Sequence, residues 1–298
     1  MGGPPTGEAP AGAVWSFPAA GTRNTRASGP QTFARVFVSE CLYKMTKRLA
    51  WAQHMQTLRH TADWYYRKLA WCDLCNSILP RTQQKAQELA LARKGGKGWM
   101  SDGSRGRAIN LRGNSSALKQ NSWNTVRVWW VPILARGKLH VELLGDEFPG
   151  ETEAGAATMV AKVRAALNVR FPGGDAPTTL FTDRGAGFFH PGTGGITAGF
   201  RQALRDHGLR AFMGDDASLQ PGALQEVMLH ETAVAWCRNK LARCLPARPW
   251  LETPEAYRTR LKAAVAEVSA TRDVESLCKE LPARVAQLSL AEGGRLVK

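Results

Sequence analysis

Apolar residues recur at spacings of three and four through Phe33, Val36, Phe37, Cys41, Met45, Leu49 and Ala52, which predicts an amphipathic lead-in helix over 31–66, with a turn near Asp63. The 30 residues before it are rich in Gly, Pro, Ala and Thr with little to bury, and read as a disordered leader. The run Lys68-Leu69-Ala70-Trp71-Cys72-Asp73 reads as a buried strand ending in an acid. Residues 81–127 lose regularity; they hold ten Lys or Arg against two acids, so 81–122 reads as a basic, mostly irregular insertion. Regularity then returns. Val126–Leu134 and Leu139–Leu144 alternate as strands around the turn Ala135-Arg136-Gly137-Lys138, a hairpin. The Met159, Val160, Val163, Ala166, Leu167 stripe makes 151–169 a helix, and 178–182 is a buried strand ending at Asp183. Residues 196–207 read as a helix and 210–213 as a short strand, and Pro221 opens a helix reaching Ala242. Two more amphipathic helices, 254–269 and 272–290, form a helical C-terminal extension over 246–298. The order predicts an α/β domain over 67–245, a mixed five-stranded sheet with helices on both faces.

Charge sharpens this picture. Forty Lys plus Arg against 25 Asp plus Glu give a net charge of +15, which points first to nucleic acid as a partner. No apolar run approaches the ~18 residues of a membrane span, and no secretory leader is evident. The six cysteines are scattered and suggest a reducing compartment rather than a disulfide framework. The expected location is therefore the nucleus in a eukaryote and otherwise the cytoplasm, without secretion.

Two of the strands end in an aspartate followed by a loop, although Asp73 and Asp183 stand 110 positions apart in the chain. Ligands in α/β sheets gather at the carboxyl ends of strands. If the two strands are neighbours, the carboxylates converge, and hard oxygen ligands of that kind suit Mg²⁺ or Mn²⁺. Two such ions support phosphoryl transfer, with a third acid expected from the helix after Pro221. Cys72 and Cys75 form a CxxC, but residues three apart on a strand face opposite sides, so they read as structural. Gly95-Gly96-Lys97-Gly98 lacks the spacing of a phosphate-binding loop. His230 reads as a polar neighbour of the site or a helix-surface residue.

The run Arg48-Leu49-Ala50-Trp51-Ala52, then His54, Asp63-Trp64, Lys68-Leu69 and Asp73, resembles the passage into the first catalytic aspartate of mariner-type DDE/D transposases. Val126-Arg127-Val128-Trp129-Trp130 with Gly137-Lys138-Leu139 is similar to that family's second and third strands. Leu180-Phe181-Thr182-Asp183-Arg184-Gly185 stands where its second aspartate closes a strand, and Asp216-Ala217-Ser218-Leu219-Gln220-Pro221 resembles the loop before its third acid. The resemblance implies a ribonuclease-H-like fold, metal-dependent DNA cleavage and strand transfer with two Mg²⁺ or Mn²⁺ ions, and a homodimer. It assigns Asp73, Asp183 and Glu226 as catalytic and metal-binding, with Glu231 or Asp216 as alternates for the third acid. Arg93, Lys94, Lys97, Arg105, Arg107 and Arg112 are the expected nucleic-acid contacts. The sequence departs from the pattern where Leu74 follows Asp73 and where Gly222 and Ala223 follow Pro221, so that 42 residues lie between Asp183 and Glu226, a longer interval than the family's. Little of the chain precedes the matched region, which leads to the expectation of a truncated or diverged copy. The departures open a second reading, a basic nucleic-acid-binding protein that has lost catalysis.

Overall fold

The computed structural model describes residues 45–58, 60–94, 124–183, 185, 187–190, 193–212 and 228–292. The leader, the start of the lead-in helix and the end of the basic insertion lie outside them. In chain order the elements are α1 (45–57), α2 (Ala62–Lys68), β1 (Leu69–Cys72), β2 (Cys75–Pro80), α3 (Gln83–Lys94), β3 (Thr125–Ala135) and β4 (Lys138–Leu143). There follow α4 (Glu153–Arg170), β5 (Thr179–Phe181), α5 (Ala198–Asp206), β6 (Arg210–Ala211), α6 (Leu229–Arg243), α7 (Pro254–Thr271), α8 (Val274–Lys279) and α9 (Leu281–Leu290).

The sheet has six strands where the sequence predicts five, and its registers explain the difference. Cys72 pairs with Ile133 and Cys75 with Trp130, both on β3, so β1 and β2 follow one unbroken antiparallel register. They are two halves of a single line from Leu69 to Pro80. The gap between them, Asp73–Leu74, falls opposite Pro132 and Val131. Two bonds set the phase of β3: the Arg81 N–H donates to the Asn124 carbonyl (2.8 Å) and the Leu144 N–H to the Trp129 carbonyl (3.1 Å). Even-numbered residues of β3 therefore turn their backbone polar groups to β1–β2, and odd-numbered ones to β4. Pro132 faces Asp73 and has no N–H to give. The ladder opens at the acid because of that proline.

With β1 and β2 counted as one line, the strand order is β4, β3, β1–β2, β5, β6; only β5 and β6 run parallel to β1. Alternation along the strands divides the core in two. Ala70, Cys72, Leu74, Val131, Ile133 and Leu180 turn toward α4 and α5, against Met159, Val163, Leu167 and Phe200. Leu69, Trp71, Cys75, Leu79, Trp130 and Phe181 turn the other way, where α6 lays Leu229, Ala233, Val234, Cys237 and Leu241 on them. The same core contains Leu261, Val265 and Val268 of α7 and Leu277 and Leu281 beyond it. The C-terminal helices are thus one roof of the sheet rather than an appendage, and the predicted helix 272–290 is broken into α8 and α9 before Pro282.

Residues 83–94 are helical where the sequence reading has an irregular stretch. Gln, Ala, Glu, Leu, Lys and Arg are strong helix formers, and Thr82 Oγ1 caps the start by accepting the Lys85 N–H (3.1 Å). Most of the segment's apolar residues run consecutively from Leu89 to Ala92 rather than at spacings of three and four, so they leave little periodicity to read.

The β3–β4 turn consists of Arg136 and Gly137, both with positive φ (47° and 72°), as a twisted two-residue hairpin requires. Arg136 tolerates this because it pairs with Asp175 (2.6 Å) and lies over the Phe171 ring. At Gly137 a Cβ would stand 3.0 Å from both Cα and Cβ of Glu275 in α8. Gly137→Ala is expected to lower the free energy of unfolding by about 1–2 kcal/mol. An unchanged midpoint in urea denaturation would show that the hairpin and α8 can move apart at no cost.

Candidate active site

Asp73 and Asp183 are brought to one end of the sheet by the parallel register of β1 and β5. Trp71 pairs with Phe181, so each acid stands two residues beyond that pair, on strands about 4.8 Å apart. Trp71 and Phe181 both face the α6 side; alternation along the continuous β1–β2 line returns Asp73 to that face, where the Cys75 thiol meets it, and Asp183 follows the end of β5. Electrostatics agrees with the placement. Burial pushes the Cys72 thiol up, and the charges of Asp73 and Asp183 push it further. Cys75 is raised by burial and by Asp73, opposed by Arg238, and raised again by Asp183. Both carboxylates therefore act on both thiols.

Each acid is oriented locally. Asp73 is 8% exposed; its Oδ1 accepts the Leu74 N–H (2.7 Å), and its Oδ2 accepts the Cys75 thiol at 3.8 Å. Asp183 is half-buried, and its Oδ1 accepts the Gly185 N–H (2.8 Å). The loop that follows is folded back on itself. Phe189 bridges Ile196, and Thr197 Oγ1 donates to the Gly187 carbonyl (2.9 Å). A Cβ on Gly187 would stand 2.5 Å from the Thr152 carbonyl oxygen, so glycine is what lets the loop lie against the start of α4.

The third acid is a different matter. Glu226 and Asp216 lie outside the described residues. Glu231 is half-buried in the first turn of α6. Among the described residues no three His, Cys, Asp or Glu side chains stand together as a metal site, so Glu231 is not brought into a three-ligand set with Asp73 and Asp183. The two aspartates alone are hard oxygen donors, which suit Mg²⁺ or Mn²⁺ in chemical type. Cys72 and Cys75 are buried free thiols that point into opposite cores, which removes them as a chelating pair. Of the predicted nucleic-acid contacts, Arg93 and Lys94 end α3, while Lys97, Arg105, Arg107 and Arg112 lie outside the described residues. Among the described residues no helix is long and apolar enough to cross a membrane.

His230 is not on the helix surface. It is 0% exposed, and neither ring nitrogen has a hydrogen-bond partner among the described residues. Its spacing to Ala233, Val234 and Cys237 placed it on the buried face of α6, a periodicity visible in the sequence. Arg238 and Pro132 also went unread, since neither belongs to a motif.

This strand order, with two acids at one end and helices on both faces, defines the ribonuclease-H-like fold. No family model matches the chain, and no curated protein matches it. Solved structures do. The catalytic domain of Mos1 mariner transposase superimposes with a TM-score of 0.53 at 10% identity, over 86% of this chain and 96% of that one. The Mos1 catalytic domain with Raltegravir and Mn gives 0.53 at 10% identity, over 86% and 97%. The Mos1 paired-end complex with left transposon end gives 0.51 at 12%, over 84% of this chain and 62% of that one. The chain thus spans less than two thirds of the transposase in that complex. At these identities the likeness shows a shared fold.

Burial lowers the pKa of His230 to about 3, with the Arg238 charge adding to the effect. In the unfolded chain the ring titrates near ~6.5. Between these values the unfolded state binds the extra proton, so stability is full above the unfolded pKa and falls as pH drops toward the folded one. Unfolding free energy should decline by up to ~1.4 kcal/mol per pH unit below ~6 from this group. His230→Gln should flatten the decline between pH 6.5 and 5 in urea titrations; a slope equal to the parent's would mean that the ring charges in the folded state.

Proposed function

We propose that this chain cleaves and transfers DNA strands by metal-dependent phosphoryl transfer, as a transposase-type enzyme. The observation that supports the reading is the parallel register of β1 and β5, which brings the chain at Asp73 and at Asp183 to the same end of neighbouring strands. Asp73 and Asp183 would hold Mg²⁺ or Mn²⁺, with Glu226 as the third ligand. When bound, such ions supply water activation and stabilisation of the leaving oxygen. The chain's own contribution is orientation. The Leu74 N–H and the Cys75 thiol fix Asp73, and the Gly185 N–H fixes Asp183, so neither carboxylate needs to reorganise on binding. The basic segment with Arg93, Lys94, Lys97, Arg105, Arg107 and Arg112 would follow the phosphate backbone, a salt-dependent and largely sequence-independent contact. The Mos1 chain has been seen in a paired-end complex with a transposon end, which supports DNA as the partner here, with two copies of this chain acting together.

The test is nicking of supercoiled and linear DNA with Mn²⁺ or Mg²⁺. Activity should vanish with EDTA and fall by about 10³-fold, roughly 4 kcal/mol of transition-state stabilisation, in Asp73→Asn and Asp183→Asn. Glu226→Gln should share that loss while Glu231→Gln and Asp216→Asn retain most activity. DNA binding without cleavage under any metal would favour the non-enzymatic reading, and cleavage indifferent to Asp73→Asn would remove the site assignment.

A further inference from the structure

Behind Cys75, on the same side of the sheet as α6, β2, α3, α6 and α7 enclose a cavity of about 70 Å³. Its lining includes the apolar Leu79, Leu89 and Leu241 and the polar Ser77, Tyr257, Arg238, Arg260 and Glu252. The two arginines differ. Arg260 is matched by Glu252, with Nε to Oε1 and NH2 to Oε2 both at 2.7 Å, a bidentate pair that leaves little charge to offer. Arg238 has no carboxylate within 4.0 Å among the described residues. Among the described residues its buried Nε has no hydrogen-bond partner, and Nη2 lies 4.0 Å from the Cys75 sulfur. That thiol is itself a donor, to Asp73 Oδ2, so it is no counter-charge. A half-buried cation without an anion is costly unless something supplies one.

The hydroxyls add a donor. Ser77 Oγ and Tyr257 Oη lie 2.5 Å apart, and Ser77 Oγ also accepts from Trp130 Nε1 (3.1 Å). Two hydroxyls carry two protons and only one is used between them, so whichever way that bond runs, one proton remains to give.

We propose that this cavity is a binding site for a small anion, an oxyanion or a short-chain carboxylate, with the Arg238 guanidinium as its counter-charge and the Ser77–Tyr257 pair as its neutral donor. The cavity has room for an anion of a few heavy atoms, and the lining leucines fit a short apolar tail. The site is distinct from the carboxylate pair and its test reads no activity, so it stands or falls independently of the strand-cleavage reading.

The experiment follows the melting temperature of the full chain in a gluconate baseline of constant ionic strength, titrated with phosphate, acetate or butyrate. The wild type should rise saturably, because a ligand that binds only the folded state stabilises it by mass action. Butyrate above acetate would place a tail against the leucines, and phosphate alone would assign an oxyanion. Arg238→Met should bind at least about tenfold more weakly, as expected for loss of a charge-assisted contact, and melt no lower than wild type in gluconate alone. Arg238→Lys keeps the charge and should retain part of the response, which covers the case of a methionine variant that fails to fold. Arg243→Gln, exposed on the same helix, should respond as wild type. No saturable rise with any of the anions, or an equal rise in wild type and Arg238→Met, overturns the site.

Discussion

The register of a single line of chain, Leu69 to Pro80, is the constraint on which the rest depends. Its first half pairs with β5 in parallel and with β3 in antiparallel fashion, and its second half continues along β3 without a slip. A slip of one residue would exchange the two faces of the sheet, sending Trp71, Asp73 and Cys75 into the α4 core and Cys72 and Leu74 under α6. Asp73 would then be buried among Met159 and Val163. Apolar patterning on both faces therefore fixes the position of Asp73 before any chemistry is considered. Pro132 adds the local opening, because it withholds one backbone donor at the acid.

The roof over that face is held by a buried polar node as well as by apolar packing. Ser77 on β2, Trp130 on β3 and Tyr257 on α7 share hydrogen bonds across three elements far apart in sequence. Ser77 accepts from Trp130 and shares one proton with Tyr257, which ties the three elements together and leaves one hydroxyl proton over. The node sets the position of α7 on the sheet, and α7 in turn packs against α6. The face bearing the acids is thus defined by the C-terminal third of the chain as much as by the strands.

How much of this was legible in the sequence depended on whether the governing interaction was periodic. Strands β3 and β4, helices α4 and α7, and the two strand-end acids followed from alternation and helical spacing, and residues such as Trp71 and Phe181 faced where alternation put them. Helix α3 was not legible, because most apolar residues of Gln83–Lys94 run consecutively from Leu89 to Ala92 rather than as a stripe, and its helicity rests on propensity and the Thr82 cap. Strand β2 was missed for another reason. Cys75–Pro80 is a continuation of β1, and a run read as ending at Asp73 hid the line that resumes after one unpaired dipeptide. Arg238 was invisible because its meaning lies in the absence of a carboxylate among its neighbours, which only three-dimensional placement discloses.

The same distinction separates the acids. Asp73 and Asp183 closely follow the last register pair of β1 and β5, Trp71 with Phe181, so their positions are tied to strands that cannot slip without refacing. The position of any acid preceding α6 depends instead on where that helix begins, and its start is set by Met228 and Leu229, which are 4% and 0% exposed. In general, added length between two elements costs little free energy, because closure entropy grows slowly with chain length. The long interval from Asp183 to Glu226 is therefore compatible with an undisturbed pair of strand acids.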